Sequence, residues 1–210
     1  MILTIFGATG QTGKELVKQA LLTGHTVKAF GRNVFSTQFL KNANLQLIPG
    51  ALFDEKDVRN VIAGSDAVLS VIGGAFDGSD KSRSLGIKNI IAQMEALSVK
   101  RIVALGGMGV LPAEDGSLLM DAKNYPEEYI PVGKEHLKAY ELLKASTLNW
   151  TFVCAPDLED AAATGLFVTA SEGRPAAGSF KINIGDLALF MLNEVSKNHF
   201  LQQRVGIGNS

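Results

Sequence analysis

The chain has 210 residues, 20 of them basic and 21 acidic, which leaves a formal net charge of −1. No lysine or arginine run builds the positive face that nucleic acids select, and no apolar run approaches the ~18 residues of a membrane span. The one cysteine, Cys154, excludes an internal disulfide and fits a reducing, cytoplasmic compartment.

Residues 2–6, Ile-Leu-Thr-Ile-Phe, read as a buried parallel strand. This run is far too short for the core of a signal peptide and is needed as a strand. It breaks into Gly7-Ala8-Thr9-Gly10-Gln11-Thr12-Gly13, with glycine at every third position, and the spacing after it predicts a helix over 14–23. In such a unit Gly7 permits the tight turn, Gly10 lets backbone approach a pyrophosphate, and Gly13 lets helix pack closely on strand. The helix N-terminus offers free N–H groups and a positive dipole end, to which Thr9, Gln11 and Thr12 add side-chain donors. An ordinary βα turn is the alternative. The placement between a strand and a helix favours the dinucleotide.

Residues 25–30 form a second expected strand, ending in Gly31-Arg32-Asn33. At this strand end a carboxylate would select the ribose 2′-OH of NAD, whereas an arginine accommodates the 2′-phosphate of NADP. No acidic residue occurs between Glu15 and Asp54, and Arg32 is followed by Ser36, Thr37 and Lys41. That pattern favours NADP over NAD.

A short strand is expected over 45–48, then a helix from Asp54 to 63 whose opening acids suit its dipole. A fourth strand, 67–72, runs into Gly73-Gly74, where backbone lies close to a ribose. The polar, glycine-containing loop 75–82 reads as mobile. Ile87, Ile90, Ile91, Met94 and Leu97 line the following helix. A fifth strand, 101–105, opens into Gly106-Gly107. The long connection 110–131 carries Tyr125 and Tyr129, and connections of that length are usually functional. A helix over 134–145 and a sixth strand over 150–155 lead to Pro156-Asp157-Leu158. Residues 159–210 break the rhythm, with a strand near 180–184, a helix over 186–195 and a last strand near 204–207.

Alternating strands and helices imply an α/β fold with a doubly wound parallel sheet in three αβα layers. We read residues 1–210 as one domain, with 156–210 contributing a small substrate-side region. Ligands of such sheets bind beyond the carboxyl ends of the strands. Gly7 to Gly13, Arg32, Gly73, Gly106-Gly107 and Pro156 are therefore expected to converge on one crevice. His25, His136 and His199 have no metal-ligand spacing, and no Gly-x-Ser-x-Gly elbow is present.

The glycine loop with its strand-end arginine resembles the atypical short-chain dehydrogenase/reductases, and most closely the biliverdin reductase B (flavin reductase) family. Later marks are Glu135-His136-Leu137, Cys154-Ala155-Pro156-Asp157, Ala163-Thr164-Gly165 and the run from Asp186 to Leu192. The resemblance implies a Rossmann-like fold and an NADPH-dependent reductase of small planar acceptors such as flavins, quinones or tetrapyrroles. It also implies cofactor contacts from Leu52 and Ile72. NmrA-like proteins, which bind NAD(P) as sensors without turnover, share much of the pattern. Three departures stand against biliverdin itself: Gly106-Gly107 where the family often has serine or threonine, Asp157 in place of a second histidine, and Ala51 in place of an acid.

Tyr140 and Lys144 fit the Tyr-x-x-x-Lys pair of active short-chain reductases, but counting back from the helix end puts the family's lysine position on His136. We read Tyr140 and Lys144 as a coincidence. His136, with an ordinary pKa near 6.5, is expected to orient the nicotinamide ribose and to change charge around neutrality. Asp157 is expected to shape the acceptor pocket. No nucleic-acid or membrane partner is expected, and the chain is expected as a monomer or small homo-oligomer.

Overall fold

A computed structural model describes all residues, 1–210. Its central sheet has eight strands: β1 (Ile2–Phe6), β2 (Thr26–Phe30), β3 (Leu45–Ile48), β4 (Ala67–Ser70), β5 (Arg101–Gly107), β6 (Asn149–Ala155), β8 (Phe167–Ser171) and β10 (Gln203–Asn209). Their spatial order is β3-β2-β1-β4-β5-β6-β10-β8. Every pairing is parallel except the last, in which β8 runs antiparallel to β10 as an edge strand. A separate parallel pair joins β7 (Asp157–Glu159), which directly follows β6 in the chain, to β9 (Lys181–Asn183), which follows β8.

Five helices cover the sheet: α1 (Gln11–Leu22), α2 (Glu55–Ile62), α3 (Ser82–Ala96), α4 (Ile130–Ala145) and α5 (Ile184–Lys197). The alternation of β1 sorts its neighbours. Leu3 and Ile5 enter a cluster built with α1 and α5, while Phe6 enters the one built with α2, α3 and α4. Thr4 shares the face of Phe6 and is fully buried, satisfied by the Val61 carbonyl at 3.1 Å and by Ser65 Oγ at 2.8 Å. A buried hydroxyl without such partners would cost about 1–3 kcal/mol.

The doubly wound sheet is as expected, with differences in extent: β5 runs on through Gly106 and Gly107, which were expected to open a loop, and α5 spans Ile184–Lys197 rather than 186–195. α1 begins at Gln11 rather than at 14, and α4 begins at Ile130 rather than at 134. β4 stops at Ser70, two residues short of the expected end. The edge strand β8 and the pair β7/β9 fill the region where the sequence rhythm was lost. There Gly206 and Gly208 let the 172–180 loop lie on β10: a Cβ would stand 2.2 Å from the Gly173 carbonyl oxygen and 2.6 Å from that of Ser179. Packing over a strand, rather than periodicity, sets the course of that loop. No helix is long and apolar enough to cross a membrane.

Candidate functional site

β1 and β4 are neighbours, yet the chain leaves β1 for the α1 face and β4 for the α3 face. Such a reversal of strand order marks the carboxyl ends of β1 and β4 as the position where sheets of this kind take their ligands.

The three loop glycines have different reasons to be glycine. Gly7 has a φ of +80°, and a Cβ there would lie 2.4 Å from the Val71 carbonyl oxygen. At Gly13 a Cβ would lie 2.1 Å from the Gly7 oxygen, because α1 is pressed against the strand it follows. Gly10 is exposed, with a φ of −75°, and a Cβ there would meet only the Gly7 oxygen, at 3.4 Å. The fold has room for a side chain at Gly10, so glycine there leaves the backbone bare toward the crevice. α1 begins directly after it with no side-chain cap and no acidic residue in its first turn. Its positive end is therefore uncompensated, as a phosphate site requires. Gln11 is exposed and Thr12 is buried, while the Thr9 methyl approaches Gly31 at the end of β2.

Arg32, next to Gly31, is exposed and belongs to none of the ion pairs. Leu52 and Ile72 converge on Gly86 of α3, where a Cβ would stand 2.6 Å from Leu52 Cδ2 and 3.1 Å from Ile72 Cδ1. Gly73 is exposed, with open space where a side chain would be. Gly106 faces inward, because Phe152 fills the place of its side chain at 2.2 Å; only its backbone is left for a ligand. At Gly107 the missing side chain is replaced by His136, whose Cδ2 would be 3.0 Å from a Cβ. The glycine pair that departs from the family pattern thus makes room for a phenyl and an imidazole ring.

His136 is half-buried, and its Nδ1 is enclosed with no hydrogen-bond partner. Burial, helped by the charge of Arg83 and opposed by Glu135, lowers its pKa from 6.5 to about 3. The expected change of charge around neutrality is therefore corrected: His136 is a neutral imidazole throughout the physiological range. It is positioned by its neighbour in the chain. Glu135, 1% exposed, accepts a hydrogen bond from Ser84 Oγ at 2.6 Å and pairs with Lys138 at 3.3 Å and Lys81 at 3.5 Å, tying α4 to α3. Burial works to raise the Glu135 pKa, but these partners hold it below the usual carboxylate value.

The 75–82 loop, expected to be mobile, is tied at both ends. Arg83 is 6% exposed and donates to the Gly74 and Ala75 carbonyls at 3.0 and 3.1 Å. Asp80 accepts from the Ser82 and Ala75 amides at 2.7 and 3.3 Å. Sequence reading missed Arg83. Its signal was a cation in the first turn of a helix, where the dipole disfavours it.

Asp157 is exposed at the start of β7, and its amide donates to the Phe180 carbonyl at 3.3 Å. Pro156, half-buried, separates β6 from β7. Tyr140 lies elsewhere. It is 8% exposed, packs edge-on against Trp150 at 5.8 Å, and carries the Arg204 guanidinium on its ring at 4.6 Å. Lys144 is on the surface. The reading of that pair as coincidence agrees with their places in the fold.

Residues 7–198 match the NAD(P)H-binding family over most of the chain. The chain belongs to that family. Among its relatives, the uncharacterized YwnB protein of Bacillus subtilis is 28% identical over 97% of this chain and 96% of its own length. A candidate NADH-flavin reductase of Streptococcus pneumoniae has a solved structure with a TM-score of 0.86, 27% identity and full coverage of both chains. A candidate exported protein of Burkholderia pseudomallei aligns with a TM-score of 0.86 and 29% identity over 99% of each chain. The family binds NAD(P)H, and the bare backbone at Gly10, the uncapped α1 and the orphaned His136 Nδ1 fit such a dinucleotide.

Proposed function

We propose that the chain is an NADPH-dependent reductase that delivers hydride to a small planar acceptor such as a flavin or quinone. The observation that carries the reading is Arg32, an unpaired cation beside the glycine loop with no carboxylate near it in sequence. The full-length likeness to a candidate NADH-flavin reductase supports the reaction class and leaves the choice of phosphate to Arg32.

When bound, the nicotinamide supplies the hydride; the chain supplies placement and exclusion of water. The Gly7 to Gly13 loop and the first turn of α1 hold the pyrophosphate, and Arg32 holds the 2′-phosphate. Leu52, Ile72, Gly73 and the Gly106-Gly107 backbone border the nucleotide's path. His136, being neutral, orients the nicotinamide ribose by hydrogen bonding and does not donate the reaction's proton. Asp157 and Pro156 shape the acceptor end. With Tyr140 packed into the core, the proton comes from water, which flavins and quinones tolerate. The setting we infer is cytoplasmic.

The test is NADPH and NADH oxidation followed by absorbance against a panel of flavins and quinones. Turnover with at least one acceptor, faster with NADPH, is the expected result. Tight NADPH binding without turnover would replace the reductase by a non-catalytic sensor.

A further inference from the structure

The loop after β4 carries a group that the nucleotide site does not use. Phe76 is 60% exposed although the backbone just before it is tied down through Gly74 and Ala75. Its ring stands 6.4 Å from that of Tyr129, tilted by 56°, so two aromatic rings form an open angle between this loop and the start of α4. Gly78 seats the loop on α4: a Cβ there would lie 2.9 Å from Pro131 Cβ. The loop leaves β4 beside the glycine turn that follows β1. Val71, where the loop leaves β4, is the residue Gly7 is pressed against, and Gly73 between them opens onto free space.

Behind Phe76 lies Arg83, with its guanidinium carbon 5.7 Å from the ring centroid. This cation is buried without a direct ion pair, and its Nε has no hydrogen-bond partner. Its charge is met by the Gly74 and Ala75 carbonyls and by the nearby carboxylates of Asp80 and Glu135, against the cost of burial. Here it braces an exposed aromatic ring from below through a cation–π contact and places positive charge under whatever stacks above.

From these contacts we infer that Phe76 and Tyr129, braced by Arg83, form the stacking platform for the acceptor, and that the acceptor is an extended aromatic ring system, which becomes an anion on accepting hydride and before it takes up a proton. This rests on the reductase reading. The acceptor gains a hydride, two electrons with one proton, from the reduced nicotinamide. The resulting anion is stabilised by Arg83 and takes one further proton from water. Flavins and quinones satisfy both conditions, whereas a small aliphatic carbonyl compound offers no face to stack.

The test is a titration that needs no turnover. FMN fluorescence, which stacking on an aromatic ring quenches, is followed as protein preloaded with NADP⁺ is added, and NADP⁺ affinity is measured separately by calorimetry. Phe76→Ala should weaken FMN binding by about fivefold or more, and Phe76→Trp should keep it within about twofold of wild type. Both variants should bind NADP⁺ within about twofold of wild type. Unchanged FMN affinity in Phe76→Ala, absence of FMN binding to the wild type, or a parallel loss of NADP⁺ affinity would each overturn the platform. If the wild type fails to bind NADP⁺, the reductase reading fails instead, and the same FMN titration without nucleotide decides the platform.

Discussion

The two banks of the crevice are built from different materials. On the β1 side the site is backbone: three glycines, a helix start without a cap, and one free arginine. On the β4–β5 side it is side chains: Arg83 under the 73–81 loop, Glu135 bridging α3 and α4, and His136 lying in the space left by Gly107. The first bank offers peptide N–H groups and a helix dipole, which are present in any sequence that makes the turn. The second exists only when two helices and a strand end are held in register. A backbone bank serves the part of a ligand that is common to many enzymes, and a side-chain bank serves the part that varies.

The largest effect should separate the glycines within the first bank. Gly13→Val places a branched side chain against backbone at 2.1 Å and should unfold the protein or lower its melting temperature sharply. At Gly10 a Cβ meets nothing closer than 3.4 Å inside the fold. The melting curve of Gly10→Val should stay near wild type while NADPH binding falls by roughly a hundredfold or more. Retained affinity would mean that the dinucleotide does not cross this backbone.

Next comes Arg32, the only charged side chain we assign to that bank. A charge-assisted bond to the 2′-phosphate is worth about 1.5–3 kcal/mol. Arg32→Ala should weaken NADPH by roughly ten- to a hundredfold and leave NADH almost unchanged, as read by calorimetry. Equal losses for both nucleotides would remove Arg32 from the phosphate site.

On the second bank, His136 makes stability depend on pH. Its pKa of about 3 in the folded chain, against 6.5 when unfolded, means that the unfolded chain binds more protons between those values. Stability is complete above about pH 6.5 and falls as the pH is lowered toward 3. At about pH 5 the loss from this residue is about 2 kcal/mol. Denaturant midpoints at neutral pH and near pH 5 should therefore diverge less in His136→Gln than in the wild type. Identical acid sensitivity would show that the ring is not held neutral.

The smallest effect should come from the pair that lies on neither bank. Tyr140→Phe keeps the ring that packs on Trp150 and carries Arg204, so turnover with a good acceptor should stay within about twofold. Abolished turnover would restore the Tyr-x-x-x-Lys reading.

Legibility followed the same division. The order of strands and helices up to residue 155, the turn at Gly7 and the strand-end position of Arg32 all stand in short stretches of sequence. Glycine spacing, apolar runs and the missing carboxylate are local properties there. The cap that Asp54 provides by accepting from the Lys56 and Asp57 amides is equally local. Helix starts were less legible, because α4 begins with residues 130–133, Ile-Pro-Val-Gly, whose place is set by contacts such as Pro131 against Gly78.

What the sequence alone determined is the alternating α/β order, the nucleotide loop and the absence of a competing carboxylate, since each follows from neighbours within a few residues. Only the tertiary structure decided that His136 is neutral, that Arg83 is buried behind Phe76, that Gly106 and Gly107 make room for rings from β6 and α4, and that β8 closes the sheet antiparallel. Each of these depends on groups brought together across tens of residues, where burial and proximity, not residue type, set the charge and the packing.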